Sequence, residues 1–194
     1  MMDFFTRCCK KANATVGNLP AWCLAVLLTV FQLAWADGIE VRKAAVVSAE
    51  EGYVLTAEMD IKLTPVLDDA LHKGVPLYFV LEFDLTRSRW YWTNEKLTTI
   101  QQPQRLAFNT LTRQYRVGVG ALYQNFSSLQ EALGYMSRVR RRLEMEPGAL
   151  HKDNAYAAQM RLRFDLTQLP KPFQLHTGRD WRMASDWYRF VVQP

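Results

Sequence analysis

Cysteine is absent from residues 37–194 of this chain. The three cysteines of the 194-residue sequence, Cys8, Cys9 and Cys23, all lie before that point. A segment without cysteine forms no disulfide and offers no thiolate to a metal ion. We therefore expect noncovalent packing alone to hold residues 37–194 together, whichever compartment they occupy.

Motifs of known catalytic chemistry are also missing. The sequence contains no G-x-S-x-G, no H-E-x-x-H, no P-loop and no dinucleotide fingerprint. The three histidines, His72, His151 and His176, are far apart in sequence, where isolated histidines are usually solvated. Asp68-Asp69 lies on a predicted helix, where adjacent side chains point apart. We predict a non-enzymatic protein without cofactor or metal; an enzyme with an unrecognised site is the alternative.

The first 36 residues have the pattern of a secretory signal. Three basic residues precede an apolar run from Ala21 to Ala36, which ends in the A-x-A cleavage sequence Ala34-Trp35-Ala36. The run is shorter than the roughly 20 residues that span a bilayer. We expect cleavage before Asp37 and a periplasmic location, with no membrane span left after cleavage. A membrane anchor that is not cleaved is the alternative.

The net positive charge of the chain is small. The chain has 24 basic and 19 acidic residues, and loss of residues 1–36 would remove three and one of these, so the formal charge would fall from +5 to +3. A charge this small does not suit a nucleic-acid partner. Residues 37–194 are enough for one domain with its own core, and no low-complexity segment or long linker divides them.

A long amphipathic strand is the clearest structural feature of the sequence. From Leu77 to Leu85 apolar residues alternate with polar or mixed ones, which is the period-2 pattern of a strand with one buried face. After Leu85 the phase changes, and a continuous strand would carry Arg87 and Arg89 into the core. We therefore predict a bulge or bend near Arg87–Arg89.

Other segments predict further strands and two helices. Alternation or β-branched composition predicts shorter strands at Val54–Leu63, Leu106–Phe108, Gln114–Val119, Tyr156–Leu166, Trp181–Ala184 and Tyr188–Val192. A short helix is predicted from Pro65 to Lys73, capped by Thr64. A longer amphipathic helix follows the capping box Ser128-Leu129-Gln130-Glu131, continues through Leu143 and ends at Pro147-Gly148. The predicted fold is mainly β, an antiparallel β-sandwich with one short and one longer amphipathic helix over an edge or end.

One candidate surface for a ligand or partner lies at the end of the long strand. It consists of Arg87, Arg89, Trp90 and Trp92. Exposed tryptophans stack on sugar rings, so a glycan- or peptidoglycan-binding module is one hypothesis, with Trp181 and Trp187 as further aromatics. Aromatic side chains are more often buried anchors, and core packing is the favoured interpretation. The arginines either hold an anionic group or pair with carboxylates across the strand.

The second candidate surface is the densest run of charge in the chain. It consists of Arg138, Arg140, Arg141 and Arg142, near the end of the longer predicted helix. On a helix these positions span more than one face, so they would not all serve one flat contact. A solvated helix end is the favoured interpretation, because helix C-termini attract cations. Attraction to anionic lipid headgroups or to an acidic partner is the alternative.

A resemblance to a known family is carried by four segments, Pro76–Trp92, Thr112–Arg116, Leu169–Gln174 and Ser185-Asp186-Trp187. Together they resemble an exported-protein family of proteobacteria, the domain of unknown function 4390, and the resemblance covers about Gly38 to Val192. It implies export and supplies no catalytic residues. It also implies a link to two-component signalling. We therefore predict a binding or adaptor domain of the cell envelope, with an envelope protein such as a sensor kinase as its partner.

Overall fold

Alternating apolar and polar residues produce most of the fold, which consists of two antiparallel β-sheets and two short helices. The computed structural model describes residues 38–50, 52–89, 91, 94–171, 178 and 181–193. The predicted signal segment, residues 1–36, lies outside them. In chain order the elements are β1 (Gly38–Ala49), β2 (Gly52–Lys62), α1 (Pro65–His72), β3 (Leu77–Arg87), β4 (Glu95–Asn109), β5 (Gln114–Val119), β6 (Leu122–Phe126), α2 (Leu129–Met136), β7 (Arg138–Arg142), β8 (Tyr156–Phe164), a 3-10 turn (Leu166–Gln168) and β9 (Tyr188–Val192).

The strands form one small and one large sheet. The order in the three-stranded sheet is β1-β2-β7, and the order in the six-stranded sheet is β6-β5-β4-β3-β8-β9. Every pairing between these strands is antiparallel. The arrangement is sandwich-like, and the predicted mainly β fold is confirmed. In the described part of the chain, neither helix is long and apolar enough to cross a membrane.

Strand β3 is the centre of the large sheet. Its inward side chains, Leu77, Phe79, Leu81, Phe83 and Leu85, are all fully buried. Because β3 pairs with β4 on one edge and with β8 on the other, its backbone is satisfied on both sides. The outward residues of β3 are half-buried and more polar. The alternation predicted from the sequence is therefore confirmed along the whole strand.

Two features keep the arginines at the end of β3 out of the core. The register against β4 shifts, and β3 itself ends. Opposite β4, the shift lies between Leu85 and Thr86, where Leu97 of β4 has no partner. The irregularity is thus on the neighbouring strand, slightly before the predicted position. Strand β3 then ends at Arg87, which is half-buried rather than in the core.

Helix α1 agrees with the prediction to within one residue. Thr64 caps it by accepting a hydrogen bond at Oγ1 from the Leu67 backbone N–H at 3.4 Å, and Pro65 occupies the first helical position. Gly74, with φ of +85°, follows the helix in the conformation that glycine adopts without strain. The helix leads directly into β3.

The longer predicted helix is wrong beyond Met136. Helix α2 begins as predicted, with Ser128 Oγ accepting from the Glu131 backbone N–H, but it ends at Met136. Residues Arg138–Arg142 instead form β7, which pairs with β2. Val139 and Leu143 are both buried, and their spacing of four fits a strand as well as a helix. Pairing with β2 therefore decides the structure of this segment.

Several strands were not predicted. Strands β1 and β6 are new, β4 begins well before Leu106, and the strand predicted at Trp181–Ala184 is a single bridge between Ala184 and Arg163. In β1 a register shift between Val41 and Lys43 breaks the alternation that would have revealed the strand.

Replacing Phe83 by alanine tests the central role of β3. Phe83 is fully buried between Ile100 and Met160 of the flanking strands. The substitution should lower the free energy of unfolding by about 3–5 kcal/mol, because it removes a buried ring and leaves a cavity. Urea unfolding followed by circular dichroism measures the change. The control Val191→Ala, at a side chain 77% exposed, should change it by less than about 0.5 kcal/mol. Equal losses in both variants would contradict the packing described.

Candidate functional site

Three of the four clustered arginines share one face of the small sheet. In β7, Arg138, Arg140 and Arg142 lie opposite Glu58, Thr56 and Val54 of β2, respectively. All three are exposed. Alternate residues of a strand are about 6.8 Å apart and point to the same side. The helical interpretation, in which the cluster could not serve one flat contact, is therefore wrong: the strand places these three side chains in a straight row.

Strand β7 is also an edge strand. Among the described strands it pairs only with β2. Beyond the two ends of β7, the Met59 N–H donates to the Ser137 carbonyl at 2.9 Å and the Leu143 N–H donates to the Tyr53 carbonyl at 2.8 Å. This alternation of hydrogen bonds directs the backbone N–H and C=O groups of the odd-numbered residues of β7 toward β2. The N–H and C=O groups of Arg138 and Arg140 therefore point away from β2, toward the open edge.

The fourth arginine of the cluster points to the other side of β7. Arg141 lies on the same face as buried Leu55 and reaches the large sheet, where its Nη1 donates to Gln102 Oε1 at 3.3 Å. Strand β4 is paired with β5 only from Gln104 onward, so its first part has an open edge as well. A cleft of about 180 Å³ lies between the two strands and is lined by Thr98, Thr99, Ile100, Gln101, Arg141, Arg142 and Glu144.

The other pair of predicted arginines is already bound to a carboxylate. Arg87 and Arg89 both donate to Oε2 of Glu95, which lies directly opposite Arg87 on β4. The hydrogen bond from Arg87 outweighs desolvation and, with the nearby positive charges, lowers the pKa of Glu95. An anionic ligand would have to compete with Glu95 for both guanidinium groups. Trp90 and Trp92 lie outside the described residues.

Arginines and a carboxylate also form a network on the outer face of the large sheet. Glu82 of β3 accepts from Arg161 Nε at 2.6 Å and from Arg163 Nε at 2.8 Å. Burial raises the pKa of Glu82, but the two hydrogen bonds and charges outweigh this, so the pKa lies below its usual value. Arg161 also stacks on Trp187, 4.4 Å from the ring centroid. Trp181 is half-buried and packs against the core, which agrees with the interpretation as a packing anchor, and Arg161 covers one face of Trp187.

His72 is exposed, as predicted, and it also joins α1 to the large sheet. Its Nδ1 lies 2.8 Å from the Asp68 carbonyl oxygen and its Nε2 lies 2.8 Å from the Tyr115 hydroxyl. His151 is exposed, and His176 lies outside the described residues. No group of three histidine, cysteine, aspartate or glutamate side chains in the described ranges has the geometry of a metal site.

A second arginine group was missed by sequence reasoning. Arg105 of β4 and Arg116 of β5 are exposed, and each guanidinium lies over a tyrosine ring, at 5.7 Å from the centroid of Tyr78 and 4.5 Å from that of Tyr123. The only signal is the alternation of side chains in β4 and β5, which determines the face of each strand that carries its arginine. That Arg105 and Arg116 share one face of the sheet follows only from the register between β4 and β5.

These features define the class of protein: a mainly β domain of two antiparallel sheets, with a row of arginines on an edge strand of the described part of the chain. A family model described as "Domain of unknown function (DUF4390)" matches residues 36–191. The chain therefore belongs to this family, as the sequence predicted. No curated protein and no solved structure matches the chain.

Replacing Glu82 by glutamine tests the network on the outer face. Because the Glu82 side chain is only 12% exposed and pairs with two arginines, the free energy of unfolding should fall by about 1–3 kcal/mol at neutral pH. A lowered folded-state pKa adds stability above the unfolded pKa of about 4.3, and that stability is lost as the pH falls through the folded value. The difference between variant and parent should therefore shrink in acid.

Urea unfolding of both proteins at neutral pH and in acid measures this difference. Asp153→Asn, which removes one exposed carboxylate from a loop, is the control and should follow the parent protein at both pH values. A difference between Glu82→Gln and the parent that stays constant down to strongly acidic pH would refute the assigned role of the ionised carboxylate.

Proposed function

We propose that this protein is a non-enzymatic binding domain of the cell envelope that captures an extended acidic segment of another envelope protein. The segment adds as a strand to the open edge of β7. The observation that supports this most strongly is the row formed by Arg138, Arg140 and Arg142 on an edge strand. Export by the N-terminal signal and a periplasmic location are part of the proposal, with a sensor kinase as the expected kind of partner.

Strand addition explains why the arginines alternate. A strand that pairs with β7 receives main-chain hydrogen bonds from the outward N–H groups of Arg138 and Arg140 and donates to their carbonyl groups. Its side chains at every second position then lie directly beside the arginine row, where opposite charges attract. Glutamate or aspartate at positions i and i+2 matches Arg138 and Arg140, and a guanidinium binds a carboxylate in a two-bonded geometry.

The alternate positions of the incoming strand face the other way. They lie on the side of Val139 and Arg141, next to the cleft that Thr98–Gln101 of β4 also line. Small or β-branched residues suit these positions, because the cleft has a volume of only about 180 Å³ and β-branched side chains favour the strand conformation. The preferred segment is therefore an alternation of acidic residues with small or β-branched residues.

Protection against aggregation explains only part of this arrangement. Charged residues on an edge strand prevent pairing with a second copy of the same edge, because like charges then lie opposite one another. Arginines repel another cationic strand but attract an acidic one. The row on β7 thus discriminates between partners by charge, which is how specific pairing is usually achieved.

A peptide with glutamate at alternate positions and threonine or valine between them tests the proposal. Binding is measured by isothermal titration calorimetry and by shifts of the backbone amides of Arg138 and Arg140 in NMR spectra. Arg140→Glu replaces an attractive contact by a repulsive one and should weaken the peptide's affinity about tenfold, or about 1.4 kcal/mol. Arg189→Glu makes the same charge change on β9, the exposed edge strand of the other sheet, and should leave the affinity within about twofold.

Two further peptides separate strand addition from general charge attraction. A peptide of the same composition with its glutamates contiguous should bind more weakly, because its carboxylates do not share one face of a strand. A peptide N-methylated at alternate backbone positions should also bind more weakly, because it cannot complete the ladder. Equal affinity for all three peptides, or equal effects of Arg140→Glu and Arg189→Glu, would overturn the proposal.

A further inference from the structure

A groove on the outer face of the large sheet is separate from the β7 edge. The register places Tyr78, Arg105, Gly118 and Tyr123 side by side across β3, β4, β5 and β6. Arg116 lies in the next row, opposite Ala107. The groove has a volume of about 400 Å³ and is also lined by Gly74, Pro76, Phe108 and the turn Asn109–Leu111. This volume is within the range of small-molecule sites.

Glycine at position 118 is what allows the groove to take this form. A Cβ atom on Gly118 would lie 2.7 Å from Cε1 of the Tyr123 ring, closer than such contacts occur. The ring therefore lies directly across the glycine backbone. In that position the Tyr123 ring also stacks beneath the guanidinium of Arg116, and the ring centroid lies 4.5 Å from Arg116 Cζ. Gly118 thus sets the position of Tyr123, and Tyr123 sets the orientation of Arg116.

Within the described residues, neither guanidinium group of the groove forms an ion pair with a carboxylate. Arg87, Arg89, Arg161 and Arg163 each pair with a glutamate. No aspartate or glutamate among the described residues lies within ion-pair distance of Arg105 or Arg116. Stacking on tyrosine holds each guanidinium by its face and leaves its N–H groups available at the edge.

The sheet also places both arginines in the lining of the same groove. Arg105 lies opposite Gly118, two residues beyond Arg116, so the two arginines are diagonal neighbours on one face. Side chains in this relation are within reach of one another when they are long. Two cations that line one groove, with no carboxylate partner among the described residues, suit an oxyanion. Aromatic and apolar groups from Tyr123, Ala107 and Phe108 line the groove beside it.

We propose that this groove binds a small soluble organic phosphate, with the phosphate between Arg105 and Arg116 and a flat or apolar body against Tyr123. A phosphate offers enough oxygens to accept hydrogen bonds from both guanidinium groups at once. The site shares no residue with β7, and the two binding functions are therefore independent. A variant such as Arg140→Glu, which disrupts the β7 edge, should leave the groove intact.

Phenyl phosphate is the probe, and its binding is followed by NMR at the side-chain Nε–H signals of Arg105 and Arg116 and at the Gly118 amide. We expect saturable shifts at these three positions, with a Kd below about 1 mM, equivalent to about −4.1 kcal/mol. Inorganic phosphate should bind more weakly, because it lacks the ring that contacts Tyr123. Phenol should not bind, because it lacks the charge.

Three variants distinguish a built site from general attraction of anions. Arg116→Lys keeps the charge but loses the planar, stacked guanidinium, and should weaken phenyl phosphate binding about tenfold. Gly118→Val displaces the Tyr123 ring and should weaken it similarly, with folding checked by the circular dichroism spectrum. The control Arg189→Gln removes a charge from the same face of the sheet and should have little effect. Loss of binding in Arg189→Gln but not in Arg116→Lys would overturn the proposal.

A lipid headgroup could supply the same phosphate chemistry, so vesicles form a separate arm of the experiment. Vesicles of phosphatidylglycerol and of phosphatidylcholine are tested by co-sedimentation with the protein. We expect no more binding to phosphatidylglycerol than the net charge explains, and no change with Arg116→Lys. Binding to phosphatidylglycerol that requires Arg116, with no saturable binding of phenyl phosphate, would refute a soluble ligand.

Discussion

Burial of the inward face of β3 is the constraint on which the rest of the structure depends. Its five inward side chains are fully buried, and period-2 geometry then forces Glu82 and Asp84 to the opposite face of the same strand. On that half-buried face the two carboxylates require hydrogen-bond partners. Arg161 and Arg163 of β8 donate to Glu82, and Thr99 and Gln159 donate to Asp84. The polar network of the outer face is thus a direct consequence of the apolar core behind it.

The same residue type has different roles according to where the pairing of strands places it. Arg87 lies opposite Glu95 on the neighbouring strand and forms an ion pair with it. Arg116 lies opposite Ala107 and stacks on Tyr123 instead. Arg140 lies opposite Thr56 on an edge strand. Cross-strand neighbours contribute to the role of a guanidinium, but position in the sheet matters as well, since Arg138 lies opposite Glu58 on the edge strand.

Sequence periodicity predicted β3, α1 and the mainly β class because each depends on local alternation or on a cap next to it in the chain. It failed where local patterns were ambiguous or interrupted. Val139 and Leu143 fit a helix and a strand equally well, and only pairing with β2 selects the strand. In β1 a bulge at Arg42 shifts the phase. The β7 arginines were recognised in the sequence as a charge run, but their common face follows only from long-range strand pairing. The groove at Arg105 and Arg116 could not be predicted at all without that pairing.

An open edge and a rigid sheet together make the β7 row a more specific surface than a charged helix end would be. Arginines on a fraying helix terminus sample many orientations, and each must be immobilised on binding. In β7 the backbone is fixed by pairing with β2 and by the flanking hydrogen bonds to Ser137 and from Leu143. The spacing of the charges is then set by the strand itself. Under the proposed strand addition, a partner would be selected by whether its acidic groups match that spacing, so specificity would come from the backbone geometry as much as from the charge.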